Sequence, residues 1–155
     1  MTLEEHITWV LITDSNACRF FQYNRKKNQL ILLKEIIHPE NRLRDIELTA
    51  DKPGKYKSWG GTVHGSFTQR TDPKEIKIDD FARNLAKELD HDRSINAYQK
   101  LIVIAPPHMN GLLSHHFNKH VKELISHTIE KDIIHYKEHE LLDFLHQHAP
   151  CISLK

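Results

Sequence analysis

Residues 7–37 read ITWVLITDSNACRFFQYNRKKNQLILLKEII, and this stretch decides the fold. Its first part, Ile7 to Thr13, is an apolar run rich in β-branched residues, the pattern of a strand buried on both faces. Asp14-Ser15-Asn16 is turn chemistry, and Ala17 to Tyr23 (ACRFFQY) reads as a second strand. Asn24 to Gln29 is a polar turn, after which Leu30 to Ile37 (LILLKEII) forms a third apolar run. Three strands joined by short turns predict an antiparallel meander. Pro39 then ends the strand signal.

Beyond the meander the pattern changes. From His38 to Asp72 neither a helical nor a strand period survives, and loops of that length inside a compact domain are usually functional or disordered. Asp72-Pro73-Lys74-Glu75 then predicts a helix start: Asp72 as N-cap, Pro73 at the first helical position and Glu75 completing a capping box. Ile78, Phe81, Ala82, Leu85, Ala86 and Leu89 continue at helical spacing. His91 to Asn96 reads as a polar loop. Leu101 to Ala105 (LIVIA) reads as a short buried strand stopped by Pro106-Pro107. Leu112, Leu113, Phe117 and Val121 predict one amphipathic helix over Asn110 to Val121. Glu123 to Lys131 suits a strand and Glu138 to His148 a terminal helix. A strand–helix–strand order after a meander implies a crossover connection and a sheet with helices on both faces. The expected fold is therefore α/β, a single domain over residues 1–150 whose mixed β-sheet joins the N-terminal antiparallel meander to a parallel strand and is covered by helices. Residues 38–72 form its long basic loop and residues 151–155 a tail.

Bulk composition narrows the function classes. At 155 residues, one domain with one core is expected. The chain has 22 Lys and Arg against 21 acids, a formal charge of +1 that excludes a wholesale basic coat for nucleic acid. Cys18 and Cys151 lie far apart without metal-type spacing, as in a reduced cytoplasmic protein. The N-terminus MTLEEHITWVLITD puts acids before a short apolar run, which is neither a secretory signal nor a membrane span.

Against this balanced background, Lys52 to Thr71 (KPGKYKSWGGTVHGSFTQRT) contains no acid and four of the chain's 5 glycines. Lys52, Lys55, Lys57 and Arg70 attract phosphate, and Tyr56 and Trp59 offer faces on which bases stack. Gly60 and Gly61 permit an approach that a Cβ would block. The competing reading is a solvated loop whose aromatics pack back on the body.

Other chemistry is weakly marked. His116 and His120, at i, i+4 on one predicted helix, have the spacing of zinc helices, with His115 beside them. The glutamate that follows the first histidine of that motif is absent, since Phe117 stands there. His146, His148 and Cys151 form a second, looser cluster. Asp14 and Asp132 at strand ends suit Mg²⁺ in principle, but turn and cap roles explain them more simply. Ser66 lacks the nucleophile-elbow pattern and Gly54-Lys55 lacks the rest of a phosphate loop. Cys18 sits in an apolar strand, where a thiol is usually inert packing. No cofactor is implied, no catalytic or metal-ligating set stands out, and an enzyme is not announced.

The segments TWVLITDSNACRFF, HPENRLRDIELTADKPGKYKS, TDPKEIKIDDFARNLAKEL, LIVIAPPHMNGLL and EKDIIHYKEHELLDFL resemble, in order and spacing, the bacterial host attachment protein family. The resemblance runs from about Trp9 to Leu145. Arg42-Leu43-Arg44-Asp45, Asp51-Lys52-Pro53-Gly54 and Ala105-Pro106-Pro107 are among its most specific parts. The family name implies a protein partner in attachment to host cells. The order of elements is also similar to the middle domain of archaeal and eukaryotic class-1 peptide release factors, whose basic loop carries Gly-Gly-Gln into the ribosome. That likeness aligns Gly60, Gly61 and Thr62 with the loop and implies a ribosome or tRNA partner. Threonine lacks the reach and amide of glutamine, which weakens peptidyl-tRNA hydrolysis as a reading. The candidate ligand- or RNA-binding residues are therefore Arg42, Arg44, Lys52, Lys55, Lys57, Trp59, Gly60, Gly61, Thr62 and Arg70. A non-catalytic RNA or ribosome contact leads, ahead of an attachment factor that binds protein and of a peptidyl-tRNA or metal-dependent hydrolase.

Overall fold

A computed structural model describes residues 6–37 and 72–149. The meander forms as expected. Strands β1 (Thr8–Thr13), β2 (Ala17–Asn24) and β3 (Gln29–Ile37) pair antiparallel in sequence order. Asp14 makes the first turn with its own carboxylate, Oδ1 accepting from the backbone N–H of Asn16 at 2.8 Å and Ala17 at 2.9 Å. The second turn needs a left-handed residue, and Asn28 supplies it at φ 51°.

The sheet then grows from the other side of β1. Strand β4 (Lys100–Ala105) lies parallel to β1, and β5 (Ile125–Glu130) lies parallel to β4, giving the order β3-β2-β1-β4-β5. The middle strands β1 and β4 are buried on both faces, so the sequence there is almost wholly apolar. Alternation sorts their side chains into two cores. Trp9, Leu11, Leu101 and Val103 face one layer, and Val10, Ile12, Ile102 and Ile104 face the other.

Three helices cover the first face: α1 (Pro73–Ser94), α2 (Pro107–His116) and α3 (Lys119–Leu124). Phe81, Leu85 and Leu89 of α1 and Leu113 of α2 fill that core. Among the described residues a single helix, α4 (Glu138–His148), covers the second face with Leu141, Phe144 and Leu145.

Three local expectations are corrected. Helix α1 does not yield to a polar loop at His91 but runs on to Ser94, because Asp92 is buried against Lys34 of β3 (3.2 Å) and Arg93 pairs back to Asp90 (2.9 Å). The turn comes at Asn96, which takes the left-handed φ of 60°. The capping box at the start of α1 is half formed. Asp72 Oδ1 accepts from the Lys74 N–H at 3.0 Å, but the Glu75 carboxylate turns away to His108 Nε2 at 3.1 Å. Finally, the helix expected over Asn110 to Val121 is two helices. Phe117 is extended and buried, and Asn118 starts α3 as an N-cap whose Oδ1 accepts from Val121 N–H at 2.9 Å.

The two outer strands differ. In β3, Phe20 pairs with Lys34 while Phe21 pairs with Leu32, so Leu33 is an extra residue, a bulge. Its insertion disturbs the in–out alternation, and Ile31, Leu32, Leu33 and Ile37 are 43%, 47%, 40% and 44% exposed. In β5 the exposed positions are the polar residues Ser126, Thr128 and Glu130, and the pairing with β4 passes over Ser126 between Leu101–Ile125 and Ile102–His127.

Candidate functional site

Topology singles out one edge of the sheet. Because β1, β4 and β5 are parallel and β3 runs with β1, the residues Thr13, Ile37, Ala105 and Glu130 all end at the same edge. Helix α1 begins there too. Its far end connects to the start of β4, where Gln99 and Lys100 donate to the Ile7 carbonyl at 2.8 and 3.1 Å. Its first turn meets the first turn of α2 through Glu75 and His108. The chain therefore leaves the described body at Ile37 and returns at Asp72 on the carboxyl edge of the parallel strands. In open α/β sheets that edge is where ligands bind.

The side chains at this edge and along the α1–α2 seam are paired with one another. Thr13 Oγ1 donates to the Ala17 carbonyl at 2.8 Å, and Asn110 Nδ2 donates to Glu130 Oε2 at 3.2 Å. Further down the seam, His116 Nε2 meets Asp79 Oδ1 at 2.8 Å while Arg83 holds the other oxygen at 3.0 Å. The His116 hydrogen bond, with help from the His116 and Arg83 charges, holds the Asp79 carboxyl below its ordinary value. These cross-helix pairs were not singled out in the sequence. The available signal was the spacing of Glu75 and Asp79, four apart on one face of α1.

Of the residues weighed for chemistry, Asp14 is a turn former with its carboxylate turned into the chain, and Asp132 is solvent-exposed. The histidines expected on one helix are separated by the α2–α3 break, with His116 in α2 and His120 in α3. Among the described residues, no three His, Cys, Asp or Glu side chains gather in a way that could hold a metal ion. Cys18 is fully buried, and desolvation pushes its thiol up to about 12, which leaves almost no thiolate at neutral pH. The ten residues expected to bind RNA, Arg42, Arg44, Lys52, Lys55, Lys57, Trp59, Gly60, Gly61, Thr62 and Arg70, lie outside the described residues, as does Cys151.

Residues 9–145 match a family described as a protein required for attachment to host cells. The chain belongs to that family. The match takes in the described strands except Thr8 and reaches Leu145 in α4, so the mixed sheet and its helices are the family domain in this attachment-family protein. No curated protein matches the chain. Among the described residues, no helix is long and apolar enough to cross a membrane.

Proposed function

We propose that this attachment-family protein is a non-catalytic binding module that contacts RNA, on the ribosome or as tRNA, through Lys52 to Thr71. The observation that carries the reading is one of position. The acid-free basic segment falls within residues 38–71, and the described residues on either side of that stretch, Ile37 and Asp72, stand at the carboxyl edge of the parallel strands. The described body has no comparable excess of cations, so an electrostatic contact with phosphate falls to this segment. In this reading Arg42, Arg44, Lys52, Lys55, Lys57 and Arg70 hold phosphates and Trp59 stacks on a base. Gly60, Gly61 and Thr62 make the closest backbone approach. The likeness in element order to the release-factor middle domain supports the same partner, and Thr62 in place of glutamine argues for binding without hydrolysis.

The test is co-sedimentation with ribosomes and with tRNA at low and high salt, comparing wild type with the triple variant Lys55→Ala, Lys57→Ala, Trp59→Ala. Binding that falls steeply with salt and is lost in the variant is the expected result. Absence of wild-type binding at low salt overturns the reading.

A second reading, a protein-binding factor in attachment to host cells, is favoured by the family's name and by the exposed apolar residues of β3. It predicts that the protein is recovered on the outside of intact cells, which an RNA-contacting module has no reason to be.

A further inference from the structure

The other outer strand, β5, borders a groove of about 270 Å³ between itself and helices α2 and α3. Its floor is apolar, made by Val103, Phe117 and Ile125. Its walls carry the Ser114 and Thr128 hydroxyls, with Lys122 toward the Ile125 end of the strand and Glu130 with Asn110 at the other. Ser114, Thr128 and Lys122 have no side-chain partner among the described residues. Strand β5 is the last in the sheet order, so its outer row of backbone groups pairs with no strand among the described residues.

Gly111 adds an independent sign. It lies inside α2 and lines the groove, and a Cβ built there would meet nothing within 4 Å. Glycine inside a helix costs roughly 0.5–1 kcal/mol relative to alanine. No packing contact explains that cost here. The space over Gly111 is open toward the groove, where an incoming group can approach the helix backbone.

We propose that the β5 edge and this groove bind an extended peptide segment of a partner protein as a sixth strand, running antiparallel to β5. The fit is one of length, backbone and charge together. Six residues of β5 offer an edge of about 20 Å, enough for a five-residue segment. Side chains on one face of an added strand recur at every second residue. Three of them would then lie beside Ile125, Thr128 and Glu130, the β5 residues that line the groove once the extra residue Ser126 is passed over. The middle one, small and apolar, enters the groove over Gly111. A basic residue at the segment's N-terminal end meets Glu130, and an acidic residue or free carboxylate at its C-terminal end meets Lys122. Backbone pairing supplies affinity and the groove supplies selectivity, the division of labour seen in strand addition generally. This site is separate from the RNA contact proposed above and does not depend on it.

The probe is the pentapeptide Lys-Thr-Val-Thr-Asp with a free carboxylate, titrated into isotope-labelled protein to millimolar concentration while backbone amide signals are followed. Shifts confined to β5 and to the Asn110–Ser114 turn of α2 are expected. Affinity should fall at least about tenfold in Gly111→Leu, which fills the groove at an exposed helix position, and similarly in Lys122→Glu. Unchanged thermal unfolding in both variants would show that the losses are not failures of folding. Absence of shifts in β5, shifts centred on β3, or undiminished binding by Gly111→Leu would each overturn the proposal. So would equal shifts from free N-acetylvaline amide, which would mark the groove as a small-molecule pocket instead.

Discussion

The two faces of the sheet are built to different standards. One carries three helices, and the rim of that layer is tied by polar pairs: Lys34 to Glu88 and Asp92, His116 to Asp79, His108 to Glu75. Among the described residues the other carries α4 alone, anchored by Leu141, Phe144 and Leu145, and leaves Leu32 and Ile37 of β3 with large exposed areas. A helix is about 10 Å wide and strands are about 4.8 Å apart, so one helix covers roughly two strands of a five-stranded sheet. The three-helix face is where resistance to unfolding should concentrate. The one-helix face should open first.

Core truncations are the strongest way to break that contrast. Leu85→Ala on α1 and Leu141→Ala on α4 remove the same atoms from side chains that are almost fully buried. Both should lose between about 2 and 5 kcal/mol of unfolding free energy in urea titrations, with Leu85→Ala at the upper end. The reason is collapse. A lone helix can settle into the space left by Leu141, whereas α1 is braced by α2 and by Lys34. Equal costs would mean that the faces are equally rigid, and the reverse order that the one-helix face is the more rigid.

A smaller effect is expected from Lys34→Met, which keeps an unbranched apolar chain but removes the ammonium, and with it the contact of Nζ over the Phe20 ring at 4.9 Å from the centroid. Asp92 is left with its side chain 11% exposed and without its cation. The expected loss is about 1–3 kcal/mol. Combining Lys34→Met with Asp92→Asn should recover part of it, because the stranded charge is gone. Loss of the full amount in the double variant would show that the pair matters through packing alone.

Which parts of this architecture could be read from the chain follows from where the information lies. The meander was legible because Ile7–Thr13 and Leu30–Ile37 are apolar runs punctuated by turn residues, and α1 because a cap, a proline and a helical stripe coincide. Strand β4 was legible because burial on both faces leaves no polar residue within LIVIA. The continuation of α1 past His91 was hidden, since Asp92 looks like a loop residue until Lys34, 58 positions away, neutralises it. The break at Phe117-Asn118 was hidden for a similar reason. Phe117 fits the helical stripe and is also the residue that leaves the helix to enter the core. The bulge at Leu33 is a matter of pairing with β2 and has no signature within β3 itself. The candidate RNA-binding residues were chosen by composition, and only the placement of Ile37 and Asp72 bears on them. The β5 groove had no sequence signal except Gly111, a glycine inside a helix without a neighbour to require it.

Gly111 is a slack place on the well-covered face, and Gly111→Ala sharpens the comparison by tightening it. The added methyl meets nothing within 4 Å, and alanine is the better helix former. A gain of up to about 1 kcal/mol in unfolding free energy is expected. A destabilised variant would mean that the groove closes on Gly111 in solution.

The smallest effect concerns pH and tests whether the polar rim matters at all. His116, and secondarily Arg83, hold the Asp79 carboxyl below its ordinary value, while partial burial works the other way. An unfolded aspartate titrates near 3.9. A group whose folded pKa is depressed contributes stability that is present above the unfolded value and is lost as pH falls through the folded one. The thermal midpoint of wild type minus that of Asp79→Asn should therefore be positive at about pH 5 and shrink as the pH is lowered toward about 2. The Asp79 side chain is 33% exposed, so solvent screens the pair and the difference should amount to a few degrees at most. A flat profile for Asp79→Asn would show that the rim pairs follow the packing of the three-helix layer and contribute nothing of their own to its stability.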